Sequence, residues 1–272
     1  MKMAFTTCVQ LGRSCIEEVL RIGGHFDLFI TLKDDQAKNK SGRIYLDDLA
    51  EQEHTPLLKV RHINDPEVIA ALKEHEIDWL FIIGWSQIAG KEVLAAPRQG
   101  IIGMHPTLLP LGRGRAAIPW AILKGLKETG VTMFKMDEGV DTGDIIAQGR
   151  IPLHDGITAT ELYELVDKMH VSLMGSCWRE LAEGTVTLRH QDESKATIWP
   201  GRKPEDGEIT SAMTMEEADR MVRAVTHPYP GAFWRGADGT LRIWSARISK
   251  DDNGLIPLKD GFLEPIQFDR ED

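Results

Sequence analysis

The chain is poor in several things that would decide its class at once. Three cysteines in 272 residues, Cys8, Cys15 and Cys177, form neither a paired framework nor a metal-ligand spacing. That excludes a disulfide scaffold and a zinc module, predicts no bound metal, and makes the cytoplasm the expected compartment. No apolar run approaches the roughly 18 residues of a membrane span. The opening residues, Met-Lys-Met-Ala-Phe-Thr-Thr-Cys, carry too short an apolar run for a signal peptide. Positive charge is also scarce, with 32 Lys and Arg against 42 Asp and Glu, a net charge of −10. Over residues 205–272 there are 8 Lys and Arg against 14 Asp and Glu, a net −6. A grip on nucleic acid draws most of its strength from neutralised phosphates, so this balance argues against such a partner. Internal repeats and low-complexity tracts are absent.

Two phosphate signatures are missing as well. No G-x-G-x-x-G follows the first expected strand, which excludes a nicotinamide-type dinucleotide site. Gly84 to Gly90 followed by Lys91 is one residue too long for a P-loop, and Glu92 stands where Ser or Thr is needed.

What is present is alternation. Expected strands over 3–9, 26–32, 56–60 and 78–84 are separated by expected helices over 14–22, 44–53 and 66–75. The run 78–84 (Asp-Trp-Leu-Phe-Ile-Ile-Gly) is apolar throughout, as in a strand covered on both faces of a parallel sheet. The pattern predicts an α/β domain with a Rossmann-like, mostly parallel sheet and helices on both faces. Polar residues 34–43 read as a loop in which Lys38, Lys40 and Arg43 could reach a phosphate, against the alternative of a solvated surface loop. A long helix is expected over 158–184 and a short strand over 185–189. The Pro- and Gly-bearing stretch 191–204 reads as a connection. Beyond it come a helix over 214–226 and strands over 233–234 and 241–248 about a turn at Asp238-Gly239. The boundaries follow as a large domain 1–195, a linker 196–204 and a small α+β domain 205–272.

The chemistry concentrates between Gly100 and Gln148. Gly-Ile-Ile-Gly-Met-His reads as a short buried strand, and Pro106 ends it at His105 because proline cannot donate to a ladder. A second apolar run, 131–136, leads into Asp137-Glu138-Gly139-Val140-Asp141-Thr142-Gly143. Two strand ends would thus offer an imidazole and a carboxylate to one crevice, the place where open α/β sheets bind ligands. His105 and Asp141 are the candidate acid/base pair. Between them, Gly112-Arg113-Gly114-Arg115 could bring backbone and guanidinium groups to an anion, or could be a solvated turn. Trp120 could stack on a base or sugar, or be core.

The same residues carry a resemblance. Gly-Met-His-Pro-Thr-Leu-Leu-Pro, Glu-Thr-Gly-Val-Thr and Asp-Glu-Gly-Val-Asp-Thr-Gly-Asp are similar to the formyltransferase family that uses 10-formyltetrahydrofolate. Pro-Tyr-Pro-Gly-Ala at 228–232 resembles a motif of that family's small C-terminal domain. The resemblance implies catalysis by His105 and Asp141. It also implies a folate site after the buried strand, at Ile82, Gln87 and Ile88. Asp137 is counted with them, although loop carboxylates also serve as turn caps. The anion and stacking roles of Arg113, Arg115 and Trp120 then fall to a substrate.

The substrate it implies is an amino sugar carried on a nucleotide, because Gly-Arg-Gly-Arg-Ala and the Trp-Ser after the buried strand resemble the sugar N-formyltransferases. Methionyl-tRNA is the alternative, which the acidic charge disfavours. A homodimer rests on the resemblance alone. One departure stands out: Gly103 occupies the position of the family's catalytic Asn. Three readings follow: another donor replaces the Asn, the freed space admits another acyl group or substrate pose, or the protein binds more than it turns over.

Overall fold

The computed structural model describes residues 1–39, 42–236, 239–252 and 255–271. The chain divides into two compact units. One comprises Met1–Arg113, Val131–Gly149 and Asp167–Ala196, the other Gly114–Gly130, Arg150–Val166 and Thr197–Asp272.

The first unit is built on β1 (Met3–Thr6), β2 (Leu28–Leu32), β3 (Leu57–Val60), β4 (Trp79–Ile82) and β5 (Gly100–His105). They lie in the order β3-β2-β1-β4-β5, followed by the strands Glu128–Lys135 and Ile145–Pro152. The first five strands are mutually parallel. The strand Glu128–Lys135 pairs antiparallel with β5, Gly103 opposite Phe134 and His105 opposite Thr132. The expected mixed, mostly parallel α/β sheet is therefore what the chain forms.

Register explains the burial of both faces. Phe5 lies beside Phe29 and Phe81, so three rings emerge on one face. Phe26 and Trp178, the latter from the helix Ala159–Glu183, close over them at centroid distances of 5.1–6.2 Å. Each such ring removed from water contributes about 2–3 kcal/mol. Ala4, Leu28, Ile30, Leu80 and Ile82 emerge on the other face and pack on Val68, Leu72 and Val93. The helix α1 (Gln10–Arg21) starts four residues earlier than expected. Its Gly12 sits against the buried Thr7, whose side chain a Cβ there would overlap.

Two local expectations need correction. Residues 34–39 are a 3₁₀ helix rather than a loop. Arg43 turns inward, donating to Leu32 O at 2.7 Å and Thr31 Oγ1 at 3.1 Å, so its guanidinium serves the fold. Lys40 and the side chain of Lys38 lie outside the described residues. The expected strand over 185–189 does not form. Only Arg189 forms a bridge, exchanging hydrogen bonds with Ile145 at 2.8 and 2.9 Å, so the β-forming side chains of the stretch find no ladder.

In the second unit the helix Met215–Val225 opens with a capping box. Thr214 Oγ1 accepts from Glu217 N at 3.2 Å, and Glu217 Oε2 accepts from Thr214 N at 2.8 Å. Its apolar stripe, Ala218, Met221, Val222 and Val225, is buried. The strands Ala232–Gly236, Gly239–Ser249 and Phe262–Glu271, with the short Ile256–Pro257, form an antiparallel sheet. The last long strand was not expected, and residue 238 of the expected turn lies outside the described residues.

Candidate active site

His105 is the last residue of β5, on the carboxyl edge of the parallel strands, and is 7% exposed. Its Nε2 lies 2.7 Å from Gly112 O. A carbonyl only accepts, so Nε2 carries the hydrogen and donates it. That fixes the ring and leaves Nδ1 for chemistry. Nδ1 faces Asp141 Oδ2 at 3.5 Å.

The carboxylate arrives by a route different from the expected one. The strand Glu128–Lys135 is antiparallel to β5, so its carboxyl end lies beside Ile102, away from His105. Alternation along β5 puts Gly103 and His105 on one face. Met136 lies against Gly103 on that face and Asp141 against His105, so the segment after the strand folds back along β5. Asp141 adopts φ +55°, in the left-handed region that Asp tolerates better than most residues.

The other carboxylates of this loop serve its shape. Asp137 Oδ1 accepts from Gly139 N at 3.0 Å and Thr142 Oγ1 at 2.6 Å. Glu138 pairs with Lys91 at 2.8 Å, and Asp144 with His190 at 2.8 Å, both at the surface.

Behind the loop lies a network that joins the candidate Arg113 to two residues outside the sequence-based candidates, Gln191 and Glu193. Gln191, 3% exposed, donates from Nε2 to Asp141 O at 2.8 Å and Gly143 O at 2.7 Å. Its Oε1 accepts from Arg113 Nε at 3.1 Å and Nη2 at 2.7 Å. Arg113, 4% exposed, also pairs in a fork with Glu193 at 2.9 and 2.6 Å. That hydrogen bond raises the Arg113 pKa above its ordinary value against the opposing effect of burial, and holds Glu193 below the usual carboxylate range. Arg113 therefore turns inward. Gln191 and Glu193 lie in the stretch 191–204 that reads as a connection, and nothing in their spacing marks them.

Of the folate-site candidates, Ile82 is 9% exposed and belongs to the core, while Ile88 is 84% exposed. Gln87 is a loop staple: Oε1 accepts from Ile63 N at 2.8 Å and Trp85 Nε1 at 3.2 Å, and Nε2 donates to Arg61 O at 2.9 Å. Lys91–Glu138 ties the segment following Ile88 to the carboxylate loop, which carries Val140 at 64% exposure. Two loops thus present bare apolar side chains.

Arg115 and Trp120 belong to the second unit. Arg115 is exposed, and Trp120 Nε1 donates to Pro200 O at 2.8 Å beneath the guanidinium of Arg202, 5.1 Å from the ring centre. Among the described residues no cluster of His, Cys, Asp and Glu could hold a metal, and no helix is long and apolar enough to cross a membrane.

An open α/β sheet with a His–carboxylate pair on its carboxyl edge presents a candidate acid/base site. Residues 22–176 match the family described as formyl transferase, and residues 202–261 match the formyl transferase C-terminal domain. The chain belongs to the formyl transferase family of enzymes. It is 31% identical over 219 residues to methionyl-tRNA formyltransferase of Clostridium perfringens, a match covering 80% of this chain and 71% of that one. Its fold is that of an N-formyltransferase from Helicobacter canadensis in complex with folinic acid and dTDP-3-aminofucose, with a TM-score of 0.71, 19% identity, and coverage of 98% and 99% of the two chains. Methionyl-tRNA formyltransferase from Clostridium thermocellum shares it with a TM-score of 0.61, 22% identity, and coverage of 98% and 99%.

Proposed function

We propose that the protein moves the formyl group of 10-formyltetrahydrofolate to the amine of a nucleotide-linked amino sugar, with His105 and Asp141 as catalytic residues. The observation that carries this reading is the pair itself: an imidazole whose Nε2–H is committed to Gly112 O, and a carboxylate 3.5 Å from its free Nδ1. When the amine attacks the formyl carbon, the carbonyl π pair moves onto oxygen and the amine nitrogen must lose a proton. When the carbon–nitrogen bond to the folate breaks, that nitrogen must gain one. The His105–Asp141 pair accepts the first proton and supplies the second, so no net proton is consumed.

The folate belongs against Ile88 and Val140, whose bare apolar side chains suit a flat aromatic ligand, with Gln87 holding the first of these loops in shape. Ile82 supports that loop from the core, and Asp137 acts by shaping the carboxylate loop. Arg113 enters as a positioning residue rather than a substrate contact. Arg115 and the ring of Trp120 remain the substrate candidates. The assignment of residues 1–195 to catalysis, 196–204 to a linker and 205–272 to a small domain belongs to the same reading. The family matches, one ending at 176 and the next starting at 202, support it.

The acidic charge favours a small substrate over tRNA. Five of the eight Lys and Arg in 205–272 are also paired internally: Arg220–Glu216, Arg223–Asp219, Arg235–Glu208, Arg242–Glu271 and Arg247–Glu264. Few cations are left for phosphates there. The 31% identical relative favours the second reading, formylation of methionyl-tRNA. At Gly103 the space in line with a missing side chain is held by Met136, whose Cγ and Sδ lie 3.1 Å from a built Cβ. This supports retained transfer with donors from elsewhere over a site enlarged for another acyl group. Tetrahydrofolate release with a panel of dTDP-, UDP- and GDP-linked amino sugars tests the proposal. Turnover of one sugar that His105→Ala abolishes supports it, whereas turnover of initiator methionyl-tRNA alone, with salt-sensitive gel shift, replaces it by the second reading.

A further inference from the structure

We infer that Gln191 is a positioning residue for the transfer, held in turn by Arg113, and that it sets the distance between Asp141 and His105. The inference rests on the catalytic reading of that pair. A glutamine amide has two donor hydrogens and an oxygen with two lone pairs. Here all four are used: the hydrogens on Asp141 O and Gly143 O, the lone pairs on two nitrogens of Arg113. Because a guanidinium only donates, the amide has one possible orientation. Its nitrogen grips the backbone on both sides of Thr142 and so holds Asp141 in its left-handed conformation. Gly143, between grip and strand, has no room for a Cβ, which would overlap Lys135 O. The loop is thus fixed on the stretch that runs directly from Asp141 to Gly143.

The same network reaches the other side of the imidazole. Arg113 follows Gly112, whose carbonyl takes the His105 Nε2–H. One buried assembly therefore fixes the group that orients Nε2 and the group that faces Nδ1. Glu193, with its side chain 59% exposed, closes the assembly at the surface. Displacing catalytic groups by about 1 Å costs on the order of 10²-fold in rate. Gln191 touches neither nitrogen and makes no claim on substrate, so its loss should fall on kcat and not on KM.

The test is Gln191→Glu, which keeps the size and the acceptor for Arg113 but turns an oxygen toward two carbonyls. Native protein, His105→Ala, Asp141→Asn and Glu193→Gln are compared with it. Three quantities are read: steady-state kinetics across pH, amide hydrogen exchange of residues 137–143, and the ¹⁵N signals of the His105 ring. The expected result is a kcat reduced about 10²-fold, each KM within about threefold, a pH profile displaced as in Asp141→Asn, and faster exchange in the loop. Native kcat and pH profile in Gln191→Glu, with His105→Ala inactive, would overturn the inference and leave the catalytic reading standing. Full activity in both His105→Ala and Asp141→Asn would overturn the catalytic reading and this inference with it. Should Gln191→Glu not fold, Glu193→Gln decides: a smaller fall in kcat with faster loop exchange supports the clamp, and unchanged behaviour in both overturns it.

Discussion

Gly103 and Met136 offer a direct test of how the site is packed. Gly103 is buried in a regular strand, so its backbone accepts any residue, and the only constraint is space. A Cβ there would lie 3.1 Å from Met136 Cγ and Sδ and 3.4 Å from Phe134 Cε1, so Met136 must give by a few tenths of an ångström. Met136 is unbranched and half-buried, and can do so. Gly103→Ala should then be nearly neutral, the gain of about 0.5–1 kcal/mol from replacing a strand glycine offsetting the squeeze.

Gly103→Asn asks for more. Overpacking costs about 1–3 kcal/mol, and a buried carboxamide without partners adds about 1–3. A loss of about 2–6 kcal/mol should appear in urea unfolding, or as roughly 2–4 °C in Tm per kcal/mol. The decisive variant is Gly103→Asn with Met136→Ala. If Met136 holds the space, the double variant is more stable than the sum of the singles by about 1 kcal/mol or more. It also puts a carboxamide on the face of His105, and tetrahydrofolate release should exceed that of Met136→Ala alone by about tenfold or more. Additivity within about 0.5 kcal/mol would refute the reasoning, because two residues competing for one space cannot act independently.

Other perturbations separate the chemistry from the scaffold. His105→Ala and Asp141→Asn should each lower kcat by about 10²–10⁴. Thermal unfolding should be unchanged in Asp141→Asn, which keeps both volume and tolerance of a positive φ, and lowered in His105→Ala, which empties a buried site and removes a hydrogen bond to Gly112 O. Gly12→Ala drives a methyl into buried Thr7 and should cost about 1–3 kcal/mol in urea unfolding without touching the site. Burial raises the Asp167 carboxyl pKa. Its penalty on folding is therefore absent below the unfolded carboxylate range and full above the raised value. Asp167→Asn should increase Tm at neutral pH and leave it unchanged near pH 3. Glu193 has the opposite sign: Arg113 holds its pKa low, so its stabilisation is full above the ordinary carboxylate range and lost as pH falls through the lowered value. The protection of residues 137–143 against hydrogen exchange, taken relative to the intrinsic rate at each pH, should fall on acidification in the native protein and stay flat in Glu193→Gln.

The parts of this protein that could be read from its sequence are those in which a side chain announces its surroundings. The run Trp79–Ile82 is apolar because both faces of its strand are covered. Proline after His105 marks where the strand stops, and the glycine-punctuated segment after residue 136 marks the turn that carries Asp141. The direction of the strand Glu128–Lys135 was harder, because periodicity says which residues share a face and nothing about which way the chain runs. An antiparallel neighbour sends its loop away from the carboxyl edge, and only the return of residues 136–141 along β5 restores the contact that two strand ends had suggested. Gln191 was harder still. Its partners are two backbone carbonyls and a guanidinium 78 residues away. Any residue can supply a carbonyl, so no pattern of residue types encodes that grip. Arginine in a Gly-Arg-Gly-Arg run suggests an anion, and an anion was there: the carboxylate of Glu193, from this chain and not from a ligand. A motif rich in cations reports the need for negative charge without saying who provides it, and here burial of Arg113 to 4% exposure decides the matter.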